Sequence, residues 1–62
     1  MTFNVETDHD GVRLVEGQYF SPFGLDRFLA HQVCLHVWSL LQTGVPVYVY
    51  EVESMKEMRF ES

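Results

Sequence analysis

The sequence lacks most of what stabilises or localises a very small chain. It has one cysteine among 62 residues. Cys34 alone cannot form an intramolecular disulfide, and a lone thiol fits a reducing compartment, so a cytoplasmic location is expected. Cations are scarce: four Lys and Arg stand against nine Asp and Glu, for a net charge of −5. Nucleic-acid affinity comes largely from neutralising phosphates, so direct nucleic-acid binding is not expected. Anionic membrane surfaces are disfavoured for the same reason. Met1 to Asp10 carries no positive charge and no apolar segment, so no secretory leader is expected there. The longest apolar-rich stretch, Leu25 to Leu41, is broken by Asp26, Arg27, His31, Gln32, His36 and Ser39 and predicts no membrane span. Linkers, low-complexity tracts and repeats are absent, so residues 1–62 read as one small domain.

What is present is a folding composition, 47% apolar and 15% aromatic. A chain of this length buries only about 60% of its unfolded surface. Disulfides, metals or partner chains usually make up the deficit. With one cysteine and few metal ligands, a partner chain is the expected helper.

Thr2 to Thr7 alternates, with Phe3 and Val5 on one side and Thr2, Asn4 and Glu6 on the other, which predicts a half-buried strand. Asp8-His9-Asp10-Gly11 predicts a turn, and Val12 to Glu16 a second strand with Val12 and Leu14 on one face. Gly17 to Gly24 reads as a loop rich in aromatics. A helix is predicted from near Leu25 to about Thr43, with Asp26 at its positive end. Gly44 suits the left-handed position after it, and Pro46 prevents continuation. Val45 to Glu53 is rich in strand formers. Ser54 to Glu57 suits a turn and Met58 to Glu61 a short last strand. The predicted class is α+β, order β-β-α-β(-β), a small antiparallel sheet covered on one face by one long helix.

Stepping about 100° per residue along the helix gathers Leu29, Val33, Val37 and Leu40 with Ala30, Cys34, Trp38 and Leu41 in one arc, the expected core side. The opposite arc holds His31, Gln32, His36, Ser39 and Gln42 but also Leu25, Phe28 and Leu35, and no charge beyond the first turn. Solvated helix faces normally carry Lys and Glu. This arc is either covered by Tyr19 to Phe23 or the C-terminal segment, or it is a contact surface. A two-fold homodimer through Phe28 and Leu35 is the simplest form of such a contact.

Candidate chemistry is thin. Glu6 to Gly11 resembles the first half of a calcium loop, but Gly17 stands where the bidentate glutamate belongs, so a solvated turn and no metal are expected. His31 and His36 are about 140° apart on the helix and cannot share a metal. Cys34 lies mid-helix, away from the activating positive end. No nucleophile has a base and an acid near it in sequence, and no glycine-rich phosphate loop occurs, so neither enzymatic activity nor a cofactor is expected.

Tyr48 and Tyr50 share one face of the third predicted strand while Val47 and Val49 share the other. With the valines toward the helix, the tyrosines face outward, unless the C-terminal segment covers them. They are flanked in sequence by Glu51 and Glu53 and by no Lys or Arg. That set suits a protein partner with a basic surface, since stacking on nucleic acid wants cations nearby.

The order of hairpin, helix and the strand Gly44-Val45-Pro46-Val47-Tyr48-Val49-Tyr50-Glu51-Val52 resembles that of small orphan phage proteins. Among them, the dimeric phage inhibitors of uracil-DNA glycosylase are similar in element order, and Asp8-His9-Asp10-Gly11 matches their acidic turn. The resemblance covers element order over most of the chain without a diagnostic motif, and no residue role is carried over. It implies a non-catalytic inhibitor of a host protein, one that handles nucleic acid. The alternative is a structural or accessory subunit that docks through its helix into a larger assembly.

Overall fold

The computed structural model describes all 62 residues. Strand β1 spans Thr2–His9, β2 Val12–Phe20, helix α1 Arg27–Leu41, β3 Val47–Glu51 and β4 Lys56–Phe60. The four strands form one sheet in the order β2-β1-β3-β4, with every neighbouring pair antiparallel. The predicted α+β class and element order hold, and the bracketed last strand is present. Because β2 and β3 both oppose β1, they run parallel to each other, and α1 is the crossover between them.

The first hairpin closes on Asp10-Gly11, with φ of 55° and 88°. Two successive positive φ values give the turn whose twist matches the strands, and Asp-Gly is among the dipeptides that favour it. The Asp8 carboxylate accepts the Gly11 N–H at 2.8 Å.

Beyond Glu16 the structure departs from the sequence reading. Gly17 to Phe20 is not loop but the second half of β2: Gly17 opposes Val5, Tyr19 opposes Phe3 and Phe20 opposes Thr2. The pairing is made with residues far upstream, so local composition conceals it. The register jumps at Val5/Glu6, leaving Glu16 as an extra residue in β2. This bulge puts Tyr19, Gly17, Leu14 and Val12 on one side, where strict alternation would have grouped Tyr19 with Val15. The ladder continues past the strand ends, where the Met1 ammonium donates to the Ser21 carbonyl at 2.6 Å.

Asp26 caps α1, its side chain accepting the Leu29 N–H at 2.7 Å. The helix ends at Leu41, two residues before the predicted end, where the Thr43 hydroxyl donates to the Leu40 carbonyl at 2.7 Å. Gly44 takes the expected left-handed conformation, φ 86°. The third strand is shorter than its predicted span, and the following turn falls at 52–55, so β4 begins two residues earlier than expected.

Phe3, Val5 and Thr7 point toward α1 and are buried, together with Val47 from β3 and Val33 and Val37 from the helix. These side chains are the core, and α1 accordingly sits over β1 and β3. Cys34 and Trp38, expected on the core side, are instead exposed, Trp38 by 66%. They occupy the helix flank toward β4, across an apolar gap from Phe60.

On the other flank α1 is tied to β2. The Tyr19 hydroxyl and His36 Nδ1 share a hydrogen bond of 2.7 Å, and the two rings meet edge to face. Gly17 makes room for this ring: a Cβ there would stand 2.5 Å from His36 Cε1. Gly17→Ala is therefore expected to displace His36 and to lower stability by about 1–3 kcal/mol. Tyr19→Phe should lose about 1 kcal/mol. In a His36→Ala background the Gly17→Ala penalty should vanish, which thermal melts of the four variants would show.

Candidate functional site

The face of the sheet away from α1 is covered by nothing. Tyr48 lies opposite Glu6 and Tyr50 opposite Asn4, on the side of β1 that points away from the helix. Both predicted tyrosines therefore stand on the open face. The C-terminal segment, which could have covered them, pairs beside β3 as β4 instead, placing Arg59 next to Tyr48 and Glu57 next to Tyr50.

The expectation that no cation stands near the tyrosines is corrected by the structure. The Arg13 guanidinium lies 3.6 Å above the centre of the Tyr48 ring, and that of Arg59 lies 5.8 Å from it. Arg13 comes from β2 and reaches over β1 and β3. It binds Glu57 at 2.9 Å and Glu6 at 3.3 Å. The Glu57 hydrogen bond raises the Arg13 pKa further above its already high ordinary value. Arg59 pairs with Glu61. Both arginines are thus matched by carboxylates already. Both arginines stack on Tyr48 and neither on Tyr50.

The two predicted glutamates do not join the tyrosines. Glu51 opposes Phe3 and so belongs to the helix side, where it lines a groove with Met1 and Lys56. Glu53 lies in the turn after β3, and its carboxylate accepts the Thr2 N–H at 2.6 Å. That bond holds the Glu53 carboxyl below its usual range. Its contribution to stability is present above the ordinary carboxylate pKa and is lost as pH falls through the lowered value. Two other residues of the open face escaped the sequence reading, Phe20, 71% exposed, and Val15. Phe20 was hidden because Gly17 to Phe20 reads as loop, and Val15 because only its pairing with Glu6 across the sheet shows that its side is the open one.

The outer arc of α1 is also bare. Phe28 is 74% exposed and Leu35 51%. The aromatic segment before the helix does not fold over them, and Phe23 is itself almost fully in solvent.

No three His, Cys, Asp or Glu side chains gather in a way that could hold a metal ion. Asp8 is occupied in its turn. One polar cluster was not foreseen: the Thr7 hydroxyl donates to Glu16 at 2.8 Å and lies 3.0 Å from His9 Nε2. Thr7 is 1% exposed, so its hydroxyl cannot meet a substrate. The cluster satisfies a buried hydroxyl and fastens the bulge to β1. No helix is long and apolar enough to cross a membrane.

Compared with known proteins, the chain matches no family model, and no curated protein or solved structure resembles it significantly.

Proposed function

We propose that the chain is a non-catalytic protein-binding module that meets its target with the open face of its sheet. The observation that carries this reading is the pair of Tyr50 and Phe20 on an uncovered face, among Asn4, Gln18, Glu6 and Glu57. Protein interfaces are enriched in aromatic side chains set among polar groups that complete their hydrogen bonds on docking. Tyr48, held under Arg13, supplies a rigid centre to the same face. The net charge of −5 favours a target with a basic surface, chiefly by speeding encounter. A protein that handles nucleic acid offers such a surface, and occupying it would inhibit. This is the narrower form of the reading, a phage-type inhibitor of a host protein.

Tyr50→Ala and Phe20→Ala are the decisive variants. Each is expected to speed dissociation from a captured target about tenfold or more while leaving the fold intact, and added salt should slow association. Surface-immobilised wild type and variants, compared by binding kinetics, give the answer. Undiminished binding in the Tyr50→Ala/Phe20→Ala double variant, with binding lost in Leu35→Lys, would instead support an accessory subunit that docks through its helix. The bare Phe28 and Leu35 favour that second reading.

A further inference from the structure

Four strands spaced about 4.8 Å apart make a sheet about 19 Å wide. A helix with its side chains is about 10 Å across. The helix side of this sheet is wider than the one helix the chain supplies. Because α1 lies over the two middle strands, β1 and β3, and is tied to β2 through Tyr19 and His36, it is the strip along β4 that is left open. The result is a groove that runs from the segment before α1 to the flank of its second half. At the start of the helix it lies between Leu25, Met1 and Met58 and encloses about 590 Å³. Farther along it lies between Trp38, Cys34, Leu41 and Phe60, where about 210 Å³ is bounded by apolar side chains alone. Val49 forms the floor of both parts.

We propose that this groove receives α1 of a second copy of the chain. The far part of the groove is wholly apolar and the near part sets Met1, Leu25 and Met58 beside Glu51, Lys56 and Glu57, so a helix with an uncharged face that mixes apolar and polar side chains suits it, and the outer arc of α1 is such a face. From Phe28 to Gln42 there is no Asp, Glu, Lys or Arg. A two-fold axis parallel to the helices satisfies both chains at once: the two helices lie side by side between two sheets, and each covers the open strip along the other's β4. Phe28 and Leu35 then rest on the partner's Val49 and Met58. Cys34 and Trp38, on the flank, meet their own counterparts across the axis.

The contact area is of the order a stable dimer needs, about 440 Å² per chain in projection against about 800 Å² of accessible surface. A helix of this length projects a strip of about 220 Å², and each chain contributes that strip twice, once as helix and once as groove. A stable interface removes about 800 Å² of accessible surface per partner. That is about a fifth of the 4368 Å² this chain exposes. The need is equally plain, since only five apolar side chains are buried in the single chain. This contact uses the face opposite to the tyrosines and does not depend on the target reading.

Light scattering and sedimentation of the full chain should show a dimer at high micromolar concentration, with a melting temperature that rises with concentration. Leu35→Lys and Met58→Lys should each give monomers of lower melting temperature. Val15→Lys, on the other face, should leave the dimer intact. Copper-catalysed air oxidation of the parent should link Cys34 to Cys34 of the partner subunit, a result that needs no variant to fold. A parent chain that stays monomeric overturns the proposal. So does a dimer that forms no such link and survives both lysine substitutions, which would place the contact at the free edge of β4.

Discussion

Val5→Asp is expected to abolish the fold. Val5 is fully out of water, in the middle of the central strand, between Gly17 on β2 and Val49 on β3 and beneath Val33 and Val37. An ionised carboxylate there has no cation within the core, and taking it from water costs several kcal/mol even after relaxation. A single core of this size rarely supplies more than about 3–5 kcal/mol. The penalty therefore exceeds the margin, and far-UV circular dichroism should show an unfolded chain at every temperature. Val5→Ala removes two methyl groups and should cost about 2–3 kcal/mol, leaving a folded but readily melted protein. Val12→Asp, at an exposed position of the neighbouring strand, should change stability by no more than about 0.5 kcal/mol. If Val5→Asp melted like Val12→Asp, the core would lie elsewhere.

The contrast between Val5 and Val12 also shows what the sequence discloses. Phe3, Val5 and Thr7 alternate with Asn4 and Glu6, and a period of two names the buried side of β1 directly. The end of α1 is equally legible, because Gly44 and Pro46 act through their own backbone geometry. These signals are local. The second half of β2 is not local, since Gly17 to Phe20 becomes a strand only by pairing with Thr2 to Val5. Gly17 looks like a loop residue, yet its small size serves the close approach of His36 from the helix.

Helix periodicity had a similar limit. The arc containing Cys34 and Trp38 is apolar, and the angle alone assigns it to the core. How much of an apolar arc is buried depends on the width of the sheet beneath and on where the helix lies across it. Neither quantity is written in the helix. The same displacement that exposes Trp38 opens the groove, so the feature the sequence placed wrongly is the one that carries the proposed self-association. The open face failed in part for a different reason. Tyr48 and Tyr50 were legible by alternation. The company of Tyr48 was not, because Arg13 reaches it from a strand two positions away in the sheet.

Replacing Arg13 is expected to have the second-largest effect. Its guanidinium covers Tyr48 and joins Glu6 on β1 to Glu57 on β4, so one side chain bridges most of the open face. The group is partly in solvent, which limits each ion pair to about 1 kcal/mol or less, and the stacking adds about 0.5–1 kcal/mol. Arg13→Ala should thus cost about 1–2 kcal/mol, a fall in melting temperature of about 5–15 °C for a domain this small. Arg13→Lys keeps the charge but loses the planar fork and much of the stacking, so it should fall between the two. A double-mutant cycle with Glu57→Gln should return a coupling of about 0.5 kcal/mol or more that shrinks in high salt. Zero coupling would mean that the bridge does not hold the face together. The same substitution tests recognition. Arg13→Ala takes the net charge from −5 to −6 and bares the Tyr48 ring. If a basic target binds this face, association should quicken at low salt even as the free protein becomes less stable. Opposite movements of the on-rate and the melting temperature would separate the electrostatic role of the face from its part in the fold.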